Sequence, residues 1–403
     1  MKVLIWTDVF PTYSETFVRD HVIGLLKRNI EVEIYSNTKQ NSHILNDYLS
    51  YNLFDKIFTE ESYLPSSYYS RFFKAFCILS SSLFTSNFKF YLKSLDFLKF
   101  KKKATSLSCF FLLHYVINKN INIIHAHFGT NARKLTFLKE IRYPISLIST
   151  FHGYDTRIDE RYAKLFYRKL FKYVDAVVCI SNYNLVKLTK FGLENSKIKR
   201  VNNGVLIPEK TSTYVSNENK VIDILSVGRL VNDKNYSSAL KALSELKNNK
   251  PNISFKYHII GDGYLRSDLE DLVIDLKLKS CVVFYGYKKS SFVKEIMSKV
   301  HFLLLPSINE ALPTVVLEAQ SFGLPVLATN VGSVKDLVNP DTGILVEPNS
   351  YDLYQGLIEI FSKRSLWENM GKNAREFIKQ NYCHQIQLDL LETIYNSIIN
   401  EKN

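Results

Sequence analysis

Short apolar runs that stop at polar turn formers recur along the chain, with stretches of helical periodicity between them. Residues 3–6, VLIW, are such a run, and residues 7–16, TDVFPTYSET, read as the loop behind it. From there Phe17, Val18, His21, Val22, Leu25 and Leu26 fall on one face at helical spacing, and residues 31–35 alternate as a second strand. Further strands are predicted at 121–127, 145–150 and 176–180, each running into polar residues. Residues 208–220 are polar and without pattern, a predicted linker. Beyond it, strands at 221–227, 257–260, 282–285, 302–305, 325–329 and 343–346 are interleaved with helices that include 236–246 and 314–322. Helices at 351–361, 365–379 and 385–399 close the chain. Such alternation through both halves predicts an α/β protein of doubly wound sheets, whose ligands gather at the carboxyl ends of the strands.

With 403 residues, 46% of them hydrophobic, the chain is long enough for two domains with separate cores. Its five cysteines are scattered without Cys-x-x-Cys spacing, and the odd count argues against a disulfide framework, so a reducing cytosol is the expected setting. The N-terminus enters a strand at once and predicts no signal peptide, and no run reaches the roughly 18 apolar residues of a spanning helix. The net charge of +13 is uneven: residues 71–140 carry twelve lysines and arginines against two acids. Interleaved with them are Phe72, Phe73, Phe76, Phe84, Phe88, Phe90, Tyr91, Phe97, Phe100, Phe110 and Phe111. That mixture suits an anionic membrane surface, and equally a core of aromatics with lysines in water. No nucleic-acid motif accompanies it.

The densest candidate chemistry lies in residues 301–329, HFLLLPSINEALPTVVLEAQSFGLPVLAT. A strand ends before the turn formers 306–309, Pro313 suits a first helical turn, and Gly323 with Pro325 closes the helix. Glu310 thus lies in a loop and Glu318 in a helix. Free N–H groups at the helix start, around Pro313, Thr314 and Val315, favour an anion such as a diphosphate. Glu318 then suits a ribose, and Glu310 a sugar hydroxyl or positive charge at an anomeric carbon. As isolated glutamates, both also fit an ordinary solvated unit. Arg229 and Lys234 follow a glycine turn at Gly228, and a planar fork beside a compact charge suits a diphosphate.

In the first half His152 directly follows a strand, Gly153 lets the backbone turn, and Asp155 is close enough to orient the ring or bind a hydroxyl. Ser14 and Glu15 stand after the first strand, where they either touch substrate or merely cap a helix. His125 and His127 share one side of a strand with no third ligand near in sequence, which gives them a hydrogen-bonded structural role rather than a metal. Gly261-Asp262-Gly263 reads as a tight turn.

The string Glu310-Ala-Leu-Pro-Thr-Val-Val-Leu-Glu318, followed by Ala319, Gly323, Pro325 and Val326, resembles the Glu-x7-Glu signature of family-four retaining glycosyltransferases. It departs at Ala311, where many members have glycine. Gly228-Arg229-Leu230-Val231-x-x-Lys234 resembles the family's Gly-Arg-x4-Lys segment, with Asn235 where glycine often follows. The pattern at His152, Gly153 and Asp155 resembles its acceptor-domain histidine motif. Phe10-Pro11-x-x-Ser14-Glu15-Thr16-Phe17 resembles the opening of members that build bacterial exopolysaccharide, O-antigen or capsule.

The resemblance spans both halves and implies the GT-B fold, two Rossmann-like domains facing across a cleft. Residues 1–205 would bind the acceptor and 206–384 the nucleotide sugar, with a C-terminal helix, 385–403, packing back on the first domain. It implies a hexosyltransferase that moves sugar with retention from a nucleoside-diphosphate sugar to a saccharide, lipid-linked acceptor. Glu310, His152 and Asp155 would be catalytic; Gly228, Arg229, Lys234, Pro313, Thr314, Val315 and Glu318 would hold the donor, and Ser14 and Glu15 the acceptor. No cofactor and no metal are implied, since cations neutralise the diphosphate and the chain lacks an Asp-x-Asp pair. The enzyme would be cytoplasmic, with 71–140 on the inner membrane face. Two other readings are a nucleotide-sugar 2-epimerase, which needs no acceptor, and a nucleotide-sugar-binding protein without turnover.

Overall fold

The computed structural model describes residues 1–12, 15–39, 51–209, 211 and 221–401. Ser14 and most of the predicted linker lie outside them. The chain divides into two compact units, one formed by Met1–Ile180, Asn184–Val201 and Leu388–Asn403, the other by Ser181–Tyr183 and Asn202–Gln387.

Among the described residues, the first unit holds a seven-stranded sheet of β1 (Lys2–Phe10), β2 (Glu31–Lys39), β3 (Ile57–Phe58), β4 (Ile123–His127), β5 (Ser146–Phe151), β6 (Ala176–Cys179) and β7 (Ile198–Arg200). Every pair is parallel, in the order β3-β2-β1-β4-β5-β6-β7. Period-two alternation assigns the strand residues to two cores. Leu4, Trp6, Ile124, Ala126, Leu147 and Val177 face one, with the helices Ser108–Asn118, Gly129–Glu140 and Glu160–Tyr173. Val3, Ile5, Ile123, Ile148, Ala176 and Val178 face the other. That second core is closed by the helix Thr16–Lys27 and by Leu391, Tyr395 and Ile398 of the C-terminal helix His384–Asn400.

β1 and β2 both run about four residues further than their apolar patterns predict, so the segment 7–10 is strand and not loop. Polar side chains carry the extension: the Ser36 hydroxyl accepts from the Phe10 amide at 2.9 Å, and the Asn37 amide donates to Asp8 at 2.8 Å.

In the second unit β8 (Ile222–Val227), β9 (Phe255–Ile260), β10 (Val282–Phe284), β11 (Phe302–Leu305), β12 (Val326–Thr329) and β13 (Gly343–Val346) form a parallel sheet ordered β10-β9-β8-β11-β12-β13. The strand order reverses at β8 here and at β1 in the first unit. The carboxyl ends of β8 and β11, and of β1 and β4, are therefore the positions where an open sheet parts its loops for a ligand.

The aromatics of the basic region of the first unit divide between core and surface. Phe90, Tyr91, Phe100, Phe110 and Phe111 are buried, whereas Phe72, Phe73, Phe76, Phe84 and Phe97 are exposed, together with Tyr69. Among the described residues no helix is long and apolar enough to cross a membrane.

Candidate functional site

In the second unit the loops leaving β8 and β11 meet. After β8, Gly228 must lie close to its neighbours: a Cβ on Gly261 would stand 1.9 Å from the Gly228 carbonyl oxygen. The Leu230 amide donates to the Asp262 carbonyl at 2.9 Å, tying this loop to the Gly261-Asp262-Gly263 turn. The chain then turns through Asn232–Lys234 and enters the helix Tyr236–Asn249 by way of Asn235, which has φ +50°. Asparagine is the side chain that best tolerates this left-handed position, which explains why it can replace the glycine of the family pattern.

Lys234 reaches across to the β11 loop and pairs with Glu310. The same carboxylate oxygen accepts from the Ser307 hydroxyl at 2.8 Å, and the Ser307 carbonyl accepts from Thr329. The Ile308 amide donates to the Asp233 carbonyl at 2.8 Å, a backbone tie between the two loops. Glu310 is buried and Lys234 half-buried, so the ion pair is shielded from bulk water. Gly332 packs on its far side: a Cβ there would stand 1.6 Å from the Glu310 carbonyl oxygen. Ala311 is buried without a positive φ, so its methyl group is accommodated.

Pro313 precedes the helix Thr314–Ser321 in an extended conformation. The amides of Thr314 and Val315 have no intrahelical acceptor, and Val316 is the first to donate, to the Pro313 carbonyl at 3.1 Å. Glu318 is half-buried one turn into the helix. Arg229 is exposed, with no ion pair among the described residues. Ser307 was legible in the sequence only as a turn former.

The first unit gathers rings instead. His127 ends β4 and His152 follows β5; the two pair through His127 Nδ1 and His152 Nε2 at 3.1 Å. His127 Nε2 meets His21 Nδ1 at 3.1 Å, His21 Nε2 meets the Tyr395 hydroxyl at 3.0 Å, and that hydroxyl meets His125 Nδ1 at 2.5 Å. His125 Nε2 ends the row on the Thr150 hydroxyl at 2.6 Å. All four rings are buried, while His152 Nδ1 is buried and without a partner among the described residues. Burial first, and His21 next, lower His152 to about 3, so the ring is neutral at ordinary pH. His21 counts in the sequence as one apolar position of an amphipathic helix; a polar residue on that face was the one signal it gave.

Asp155 does not orient the His152 ring, one of the two roles its position suggested. Its hydrogen bonds run to the turn rather than to the imidazole: the His152 and Gly129 amides donate to it at 2.9 Å each, and the Tyr167 hydroxyl at 3.3 Å. Burial outweighs these bonds and raises its carboxyl to about 7. Glu15 is the residue before the helix Thr16–Lys27, half-buried, with its amide donating to Thr12 at 3.0 Å and its side chain making no cap bond. Ser14, its expected companion, lies outside the described residues. Among those residues no group of three or more His, Cys, Asp and Glu side chains is arranged to hold a metal ion.

Two family models divide the chain between them. That of the family-four glycosyltransferases matches residues 14–206, and that of the group 1 glycosyl transferases matches 209–377. An uncharacterized glycosyltransferase of Methanocaldococcus jannaschii is 31% identical over 278 residues, 66% of this chain and 74% of its own length. The chain belongs to the family-four glycosyltransferases. It is therefore an enzyme class of retaining stereochemistry, and its paired parallel sheets are those of the GT-B fold.

Other relatives share the whole length of this glycosyltransferase. The putative colanic acid biosynthesis glycosyltransferase WcaL of Escherichia coli is 28% identical over 404 aligned positions, 96% of this chain and 97% of the relative. Among solved structures, the Anabaena protein HepE, crystallised with UDP and glucose, superposes with a TM-score of 0.72 over 98% of this chain and 100% of its own, at 15% identity. At that identity the likeness is one of fold.

Proposed function

We propose that this glycosyltransferase moves a hexosyl group, with retention, from a uridine-diphosphate sugar to a saccharide acceptor in cell-surface polysaccharide assembly. The observation that carries the reading is the convergence of Lys234 and Glu310 on the β8/β11 switch point, with the Thr314 and Val315 amides one loop away. Arg229, Lys234 and those amides suit the diphosphate, stabilising charge on the leaving group. Gly228 lets the donor approach the backbone, Glu318 accepts from the ribose, and Glu310 faces the transferred sugar. His152 bonds a sugar hydroxyl. Asp155 holds the turn that presents His152, and Glu15, with Ser14, contacts the acceptor bound by the first unit. Phosphate neutralisation by Arg229 and Lys234 makes a metal unnecessary.

Support for the pathway comes from the putative colanic acid biosynthesis glycosyltransferase, which aligns over 96% of this chain. Support for the base comes from UDP in HepE. The exposed aromatics among lysines of the first unit favour a lipid-linked acceptor, met by a cytoplasmic enzyme at the inner membrane face.

The test begins with thermal shifts against UDP-, GDP- and ADP-sugars, because a ligand of the native state raises its melting temperature. Release of nucleoside diphosphate should then require an added saccharide and persist in chelator. Release without any acceptor would favour the epimerase, and binding without release under any acceptor a binding protein.

A further inference from the structure

Six groups of the first unit form one unbroken hydrogen-bonded row: Thr150, His125, Tyr395, His21, His127 and His152. A neutral imidazole has one N–H and one bare nitrogen, so each ring in the row must accept on one side and donate on the other. Burial keeps His125 and His127 neutral, as it does His152. With His21 neutral as well, protons can be ordered along the row in two consistent ways. Running towards His152, every ring carries its proton on Nδ1; running away, every ring carries it on Nε2.

The ends decide between them. Among the described residues the Thr150 hydroxyl has His125 Nε2 as its single hydrogen-bond partner, and the residue is buried. Were the row to run away from His152, Thr150 would accept from His125 and its own O–H would be a buried donor without an acceptor, a costly state. Running towards His152, Thr150 donates to His125 Nε2, His125 donates to Tyr395, Tyr395 to His21, His21 to His127 and His127 to His152 Nε2. The last proton stands on His152 Nδ1, a buried nitrogen without a partner among the described residues, so its acceptor has to be an oxygen of water or substrate. Only this order satisfies every donor in the row once such an oxygen is in place.

We propose that Thr150, His125, Tyr395, His21 and His127 are positioning residues that hold the proton of His152 on Nδ1, so that this ring meets a substrate oxygen as a hydrogen-bond donor. The claim rests on the reading of His152 as a sugar contact for its use, though not for its existence. It also works against intrinsic preference, since an isolated neutral histidine side chain favours the proton on Nε2. Four buried rings of the rarer form in one protein are a specific signature. Tyr395 gives the C-terminal helix a part in the site, by chemistry that neither family model nor apolar pattern describes.

Long-range proton–nitrogen correlation spectra of the full-length protein labelled with 15N-histidine read the tautomer of each ring without any substrate. The nine histidines can be assigned by single substitutions. Expected are protonated Nδ1 and bare Nε2 at His21, His125, His127 and His152; a proton on Nε2 of His152, or one ring of opposite sense, overturns the proposal. His127→Phe removes the donor to His152 Nε2 and should let that ring revert to Nε2–H. His127→Asn, whose amide N–H occupies the Nδ1 position, should restore Nδ1–H. With UDP-glucose as probe, UDP release should fall about two- to tenfold in the phenylalanine variant, the size of one neutral hydrogen bond, and recover in the asparagine variant. A purely structural His127 would lower the melting temperature and leave the His152 proton where it was. If His127→Phe fails to fold, the wild-type spectrum decides alone. The predicted tautomers without UDP release would fault the donor assigned above, whereas Nε2–H at His152 with full turnover would fault the proton row.

Discussion

Lys234 and Glu310 form a shielded ion pair, and the Ser307 hydroxyl binds the same carboxylate oxygen at 2.8 Å. Each of the two charged groups thus neutralises the other. On the proposed function, a donor diphosphate would compete for the ammonium and leave Glu310 to the sugar. Glu310→Ala is expected to lower turnover by at least about a hundredfold, on the scale of a lost electrostatic contact to the reacting centre. Lys234→Ala should act chiefly on the donor KM. Because the partners touch, their stability penalties should fall short of additivity by about 0.5–3 kcal/mol in a double-mutant cycle. Urea unfolding of the four proteins measures this, and strict additivity would show that the pair carries no coupling.

Backbone strain at the same loop gives a second test. Gly332 has φ +54° and leaves no room for a Cβ beside the Glu310 carbonyl, so Gly332→Ala should displace the Glu310 loop. A loss of about 1–3 kcal/mol is expected, together with a fall in turnover. Gly192, with φ +90° and nothing within 4 Å, is the control: Gly192→Ala pays strain alone and keeps full activity. At Asn235, replacement by glycine should be nearly neutral and by valine destabilising, since a β-branched side chain fits φ +50° poorly. Melting temperatures and turnover of the four variants check both claims.

What the sequence revealed follows from what is local. The strand–loop–helix unit around Glu310 was readable because an apolar run, turn formers and a proline-started helix are each short-range signals, and β11 and the helix Thr314–Ser321 lie where those signals put them. Ser307 and Gly332 were not, because their importance arises from a contact with Glu310 made by folding. The extensions of β1 and β2 were missed because polar cross-strand bonds, not apolar alternation, hold them. His21 and Tyr395 are 374 positions apart and meet only through the sheet they both cover.

Titration separates the two buried groups of the β5 turn by sign. Folding withholds a proton from His152, His125 and His127, with burial the leading cause in each, and His152 is held at about 3. Unfolded histidines take up protons below about 6.5, so this contribution to stability is complete above that pH and is lost as pH falls towards about 3. Asp155 is opposite: its carboxyl, raised by burial to about 7, favours folding most below its unfolded value of about 3.9 and loses that contribution as pH rises through 7. Between about pH 4 and 6.5 the groups therefore act in opposite directions, His152 losing stability on acidification and Asp155 gaining it. Within that window His152→Gln should flatten the slope and Asp155→Asn steepen it, each by about 1.4 kcal/mol per pH unit. Urea unfolding at stepped pH reads the slope; no change in either variant would mean that neither group titrates differently on folding.

The membrane reading turns on one helix face. Tyr69, Phe72, Phe73 and Phe76 stand at positions i, i+3, i+4 and i+7 of the helix Tyr68–Ser82, all exposed, so they form a continuous apolar row that the protein itself leaves uncovered. Exposed Lys74, Lys89, Lys93, Lys101 and Lys102 lie in and near this segment of chain. Each phenylalanine fully buried in a bilayer interface contributes up to about 1.5–3 kcal/mol, and each lysine near an anionic surface about 1 kcal/mol. The two terms differ in their response to salt, because only the second is screened. Sedimentation with phosphatidylglycerol vesicles should therefore show binding that weakens with salt without vanishing. Phe72→Ser with Phe76→Ser should reduce binding at every salt concentration, whereas replacing the lysines by glutamine should reduce it at low salt only. Absence of binding to anionic vesicles at low salt would remove the membrane from the proposed function and leave the exposed row to a protein partner.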